Sequence, residues 1–183
     1  MAGVVVAVPA GEEERLAGRD GVECVPGGEH RSQSVAAGLE RVDSEIVVVH
    51  DAARPLVTAE LIDAVVEDLL ADDDAQGVIA ATPVTDTVKE VVTGKEVFST
   101  LDRSSLWAAQ TPQAFRTEAL RKALADPTTL AHATDDSMLV ERIRDRERIR
   151  GRVLVHEAPP ENLKVTTELD LRVAELLLAE RAR

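Results

Sequence analysis

Tyrosine is missing from this 183-residue chain, and with two phenylalanines and one tryptophan the aromatics reach only 2%. Surfaces that stack single-stranded bases need aromatic faces, so that class of binding is not expected. The one cysteine, Cys24, has no intramolecular disulfide partner, and its place in the strand-like segment Val22 to Val25 reads as a buried structural thiol. No apolar run reaches 18 residues, and the stretch MAGVVVAVPAGEEE has neither the length nor the basic lead of a signal peptide. The expectation is a cytoplasmic protein without a membrane segment. Positive charge is scarce too, at 21 basic against 34 acidic side chains and a net charge of −13, which repels nucleic acid. The one basic island, Glu141 to Arg152, interleaves its signs as a solvated helix face does. There is no G-x-G-x-x-G, and Gly94-Lys95 cannot end a P-loop because Lys89 stands where its first glycine belongs. His30, His50, His132 and His156 are scattered singly, without zinc-type spacing.

What the chain does have is a 44% hydrophobic content at a length that suits one domain with a sizeable core, over 1–183. Val4 to Val8, Val22 to Val25, Ile46 to Val49, Gly77 to Ala81 and Val153 to Val155 read as strands, with Glu12 to Leu16 as a short helix. Val35, Leu39 and Val42 recur at helical spacing after the Gly27-Gly28 turn, and Thr58 caps a helix carrying Leu61, Val65 and Leu69. This alternation predicts an α/β fold, a Rossmann-like, mostly parallel sheet flanked by helices. Thr87 to Val92 and Glu96 to Thr100, joined by Thr93-Gly94-Lys95, break the rhythm as a β-hairpin. A lone hairpin is marginal in water, so this arm, spanning 86–104, is expected to pack on a partner copy. Leu106 to Gln110 can re-enter the sheet, Thr117 caps a helix through Leu124, and Thr134 or Asp135 caps one carrying Met138, Leu139 and Ile143. Pro159-Pro160 is a rigid turn, Leu163 to Val165 is extended, and Thr167 caps a last helix with Leu169, Val173, Leu176 and Leu177 on one face.

The chemistry gathers at Ile46 to Val57, IVVVHDAARPLV, where a buried strand stops at His50, Asp51, Arg54 and Pro55. In open α/β sheets ligands bind beyond the C-terminal ends of the strands. Asp51 alone reads equally as an Asx-turn residue or a metal ligand. With Arg54, and with Asp86 and Thr87 after the next long strand, the set suits a phosphorylated substrate and a divalent cation. Gly27, Gly28 and Ser34 flank a helix start, whose free amides can take an anion or a base edge. Lys164 in ENLKV is a lone cation that also reads as an ordinary exposed lysine.

Five ordered blocks, VVVHDAARPLV at 47–57, PVTDTVKEV at 83–91, LDRSSLWAAQTPQAF at 101–115, ATDDSMLVE at 133–141 and ENLKVTTELDL at 161–171, resemble the 2-C-methyl-D-erythritol 4-phosphate cytidylyltransferase family, as does GGEHRSQSV at 27–35. The resemblance implies attack of a sugar-alcohol phosphate on the α-phosphorus of CTP with Mg2+ and release of pyrophosphate, in a homodimer joined through the hairpin arm. It assigns Asp51 and Ala52 to nucleotide and metal, and Gly27, Gly28 and Ser34 to the cytidine. Arg54, Asp86, Thr87 and Thr111 fall to the sugar phosphate, and Lys164 to the pentacoordinate phosphorus. Arg103 would reach the partner's site. Ribitol 5-phosphate cytidylyltransferase has the same fold and chemistry, and Ala53 in the HDAARP block is closer to the erythritol family. A reading of another class is a non-catalytic sugar-phosphate-binding dimer module. Members of the family begin with a strand and a glycine-rich loop carrying an arginine and a later proline-lysine pair, and this sequence starts after both. That implies an empty sheet position and uncovered apolar surface, with about 2.7–4 kcal/mol of transition-state stabilisation forgone per missing donor. The stretch from Arg144 to Arg152 is also longer and more charged than the family's turn there.

Overall fold

β-Branched runs set the strands, and the computed structural model, which describes residues 3–15, 18–125, 135–147 and 152–181, orders them in three sheets. Strands β1 (Val4–Val8) and β2 (Val22–Pro26) pair in parallel. Between them a 3-10 turn at Glu13–Arg15 takes the place of the expected short helix, whose end at Leu16 lies outside the described residues. The central sheet runs β3 (Ile46–Val49), β7 (Trp107–Arg116), β4 (Ala75–Pro83), β8 (Arg152–Glu157). β5 (Lys89–Val91) and β6 (Val97–Thr100) form the separate hairpin. Its turn at Thr93–Lys95 holds Gly94 at φ 84° and Lys95 at φ 66°, and the first of these suits glycine.

Three of the four central strands run the same way, and β7 opposes both neighbours. β3 and β4 are therefore parallel without touching, because β7 lies between them. Pro112, which has no N–H to give a ladder, falls at the break in register between Ile79 and Ala81. Strands β4 and β8 extend past their expected ends, and Leu163 to Val165 pairs with no strand.

Side chains alternate across the sheet with the strand period of two. On one face Leu39, Ile79, Phe115, Leu120, Leu124, Leu139 and Val140 pack under α1 (Arg31–Leu39), α3 (Thr117–Leu124) and α4 (Asp136–Glu147). On the other, Leu61, Val65 and Leu69 of α2 (Ala59–Leu70) cover Val78, Ala80 and Ala114. Thr58 caps α2 by accepting from the Leu61 amide, and Asp135 caps α4 through the Met138 amide at 2.9 Å; Thr134 lies outside the described residues. The last helix, α5 (Glu168–Arg181), has its Thr167 cap, but its predicted apolar face is open: Leu169 is 69% and Leu176 61% exposed, and the helix rests on buried Ala174. Cys24 is half-buried rather than buried, because the two-stranded β1–β2 sheet covers it incompletely. Residues 148–151 of the basic island lie outside the described residues.

Candidate active site

The loop after β3 is held from three sides. The Arg54 amide donates to the Asp51 carbonyl at 2.9 Å, which closes the turn. The Asp51 amide donates to the Thr111 hydroxyl at 3.0 Å, and that hydroxyl also bonds His50 Nδ1. From the far end of the chain, the Val165 amide donates to the Ala53 carbonyl at 2.8 Å. These bonds place Lys164 beside Asp51, Nζ to Oδ2 at 3.0 Å, across 113 residues of sequence.

Asn162 explains why that loop holds its place. It is 1% exposed, and its amide donates to the Gln110 side chain at 2.8 Å and the Thr111 carbonyl at 2.9 Å. Its backbone carbonyl accepts from the Arg54 guanidinium at 2.7 Å. Arg54 is thus 8% exposed and braces the Lys164 loop, and Thr111 is equally buried, with its hydroxyl given to the loop.

The second oxygen of Asp51 meets Arg31 Nε at 3.0 Å, and Arg31 donates again to Asp136 Oδ2 at 2.6 Å. Burial opposes charge on Arg31, but the pairing with Asp136 and Asp51 outweighs it and holds the guanidinium's pKa above its ordinary value. Asp51 is likewise opposed by burial, yet Lys164 and Arg31 hold its carboxyl below the usual range. In Asp136 burial wins and pushes the carboxyl up, although Arg31 pulls it down. Burial also lowers His50 and Arg54.

Next to this cluster a cavity of about 500 Å3 opens at the C-terminal ends of β1 and β2, lined by Val8, Pro9, Gly27, Gly28, Glu29 and Ser34 among others. The Gly28 amide donates to the Ser34 hydroxyl at 3.1 Å. A Cβ on Gly28 would lie 2.4 Å from Gln33 Cβ, so a side chain there has no room. Ala52, exposed at the loop tip, faces solvent. Asp86, Thr87 and Arg103 stand apart at the root of the hairpin, all exposed, with Arg103 donating to the Thr85 carbonyl. The structure thus gathers Asp51, Lys164, Arg54 and Thr111, joins them through Arg31 to the helix that follows Gly27 and Gly28 and carries Ser34, and leaves the hairpin residues outside that cluster. Arg31, Asp136 and Asn162 went unread in the sequence. Arg31 and Asp51 are 20 residues apart, and Arg31 and Asp136 are 105 apart, so no local spacing links them.

A sheet with its polar cluster at the strand ends, a glycine-walled cavity and a lysine on the loop acid make an α/β domain with its ligand edge beyond the strand ends. The family model for 2-C-methyl-D-erythritol 4-phosphate cytidylyltransferase (IspD) matches residues 1–180, and the chain belongs to that family. The enzyme of that name from Symbiobacterium thermophilum is 47% identical over 165 residues, covering 87% of this chain and 65% of the relative. The one from Bacillus licheniformis is 42% identical over 164 residues, covering 88% and 67%. The chain thus spans about two thirds of the length of these two relatives. The crystal structure of 4-diphosphocytidyl-2C-methyl-D-erythritol synthase from Anaerococcus prevotii superposes with a TM-score of 0.83 at 30% identity, covering 98% of this chain and 82% of that one. Among the described residues no helix is long and apolar enough to cross a membrane.

Proposed function

We propose that this chain serves the transfer of a cytidylyl group from CTP to 2-C-methyl-D-erythritol 4-phosphate, in the cytoplasm and as a homodimer joined through the hairpin arm. A phosphate oxygen of the sugar attacks the α-phosphorus of CTP, the bond to the β-phosphate breaks, and pyrophosphate leaves. This is chemistry of positioning and charge stabilisation, with no need for a covalent nucleophile. The observation that carries the reading is the Lys164–Asp51 pair at 3.0 Å beside the glycine-walled cavity.

In this reading Gly27, Gly28 and Ser34 seat the cytidine, and the two glycines let the chain pass close against Gln33 and Ser34 at the start of α1. Lys164, 45% exposed at the side chain, has the freedom to leave Asp51 and meet the charge that builds on phosphorus. Arg54 and Thr111, buried, act from beneath by fixing the loop that faces the sugar phosphate. Asp86, Thr87 and Arg103 would meet the substrate from the hairpin side, and Arg103 would do so across the dimer.

Magnesium fits this donor set in one specific sense. Asp51 supplies a hard carboxylate, while among the described residues no group of three or more acids, histidines or cysteines could hold a metal ion unaided. Asp51 and Ala52 would therefore receive the cation together with the nucleotide, whose phosphates and water complete its shell. When bound, Mg2+ supplies charge neutralisation at the phosphate oxygens.

The test is pyrophosphate release from CTP, Mg2+ and the sugar phosphate. It is measured on the chain itself and on a chimera with a relative's N-terminal unit placed ahead of Met1. Release from at least one form is expected. Silence from both overturns the reading, and release with ribitol 5-phosphate alone reassigns the substrate.

A further inference from the structure

Asp136 is buried, with its side chain 1% exposed, and Arg31 is the partner that takes its charge. Its other oxygen, Oδ1, is buried with no partner among the described residues. A buried carboxylate in that condition grips its one cation hard, because letting go would leave a charge uncompensated. Arg31 is thereby fixed at the first position of α1, with its Nε aimed at Asp51 Oδ1. Asp51 keeps one oxygen, Oδ2, for Lys164. If Arg31 were free, both Asp51 oxygens could close on Lys164 and hold the lysine away from phosphate.

We propose that Asp136 and Arg31 are positioning residues for Asp51, a buried acid and a bridging guanidinium that fix the carboxylate's orientation and keep it from sequestering Lys164. The inference rests on the cytidylyltransferase reading for its consequence, and on the ion-pair geometry for its existence. Partners of this kind, which orient a ligand residue from behind, typically change affinity or activity by 10–100-fold when removed. The roles also differ within the pair. Arg31 touches Asp51 directly and, one-third exposed, can be replaced without opening the core, whereas Asp136 makes no hydrogen bond to Asp51 among the described residues and reaches it through Arg31.

The experiment uses the full chain and the variants Arg31→Gln, Arg31→Lys, Asp136→Asn and Arg31→Gln/Asp136→Asn. The Arg31 Nε–H resonance, identified by its absence in Arg31→Lys, reports the bridge without any turnover. Mn2+·CTP binding, followed by electron paramagnetic resonance, reports the consequence. Asp136→Asn is expected to speed solvent exchange of the Arg31 Nε–H at least tenfold and to weaken Mn2+·CTP about tenfold. Arg31→Lys should restore part of what Arg31→Gln loses, and adding Asp136→Asn to Arg31→Gln should cost nothing further. A merely structural Asp136 would instead give losses that multiply and follow the melting temperature. Should Asp136→Asn fail to fold, the Arg31 variants decide alone: Mn2+·CTP affinity within twofold of wild type in Arg31→Gln overturns the proposal. If the protected Nε–H is present but neither the wild-type chain nor the chimera binds Mn2+·CTP or releases pyrophosphate, the functional reading fails. The positioning role then falls with it, while the ion-pair geometry stands.

Discussion

Gly77→Ala puts the packing of the central sheet to a direct test. Gly77 on β4 stands opposite Phe115 on β7, and a Cβ there would lie 2.5 Å from Phe115 Cδ1 and 2.7 Å from Cε1, with the Ala114 carbonyl at 3.3 Å. Phe115 is fully buried and packs in one cluster with Leu39, Ile79 and Leu120, so the ring has nowhere to retreat. Overpacking of this kind costs about 1–3 kcal/mol, and contacts this short belong to the upper half of that range. Alanine recovers roughly 0.5–1 kcal/mol by restricting the unfolded chain. The net expectation is a loss of about 1–2.5 kcal/mol, or roughly 2–10 °C in melting temperature for a domain of this size. Urea unfolding of Gly77→Ala, Phe115→Leu and the double variant measures it. Phe115→Leu alone destabilises by opening a cavity. Together the two should cost less than their sum by more than about 0.5 kcal/mol, since the smaller side chain makes room for the new methyl. Unchanged stability in Gly77→Ala, or two losses that simply add, would refute the packing account.

Lys164→Met should lower kcat by about 10²–10³ while changing CTP affinity little, as removal of a transition-state donor does; a loss under tenfold in the pyrophosphate assay removes Lys164 from the chemistry. Phe98, 70% exposed on the arm, is the natural point to break a dimer, so Phe98→Glu should convert dimer to monomer in light scattering, and a wild-type chain that is already monomeric refutes the arm's role. Asp170 accepts from the Thr166 amide and hydroxyl and from the Thr167 amide, which draws its carboxyl down to about 2. Because the folded value lies below the unfolded one, the stability it gives α5 is complete above about pH 4 and lost as the pH falls through about 2. A carbon-13 titration of that carboxyl with a midpoint near 4 would contradict the capping geometry.

Local chemistry was the legible part of this chain. The β3 boundary at Ile46–Val49, the Thr58 and Thr167 caps and the hairpin follow from composition within a few residues. What escaped was long-range. Pro112 argues against a strand continuing past Gln110, yet β7 runs to Arg116 because the break in register leaves the proline no donor to supply. The resemblance turns Arg54 and Thr111 toward the sugar phosphate, and the structure adds that both are buried in bonds to the loop. The stripe Leu169, Val173, Leu176 has core periodicity but no neighbour among the described residues that buries it. Periodicity states which face is apolar, and contact alone states what covers it.

The site straddles a seam. Its acid and lysine stand on the central sheet, where Asn162, Thr111 and Gln113 are buried and hydrogen-bonded. Its glycine-walled cavity stands on β1 and β2, a two-stranded sheet that shares no ladder with β3. A pair of strands is marginal unless something packs on it, and here α1 packs on both strands and on α3. Arg31 sits at the start of that same helix and reaches Asp51 and Asp136 at once. The contact that holds Asp51 is therefore also a clamp between the two halves of the candidate site. On the proposed reading, nucleotide in the cavity would bear on α1 through Ser34, three residues from Arg31 on the same helix. On that reading, the register of the helix against the central sheet would set the distance between a cytidine in the cavity and Asp51, and so whether both can engage one triphosphate.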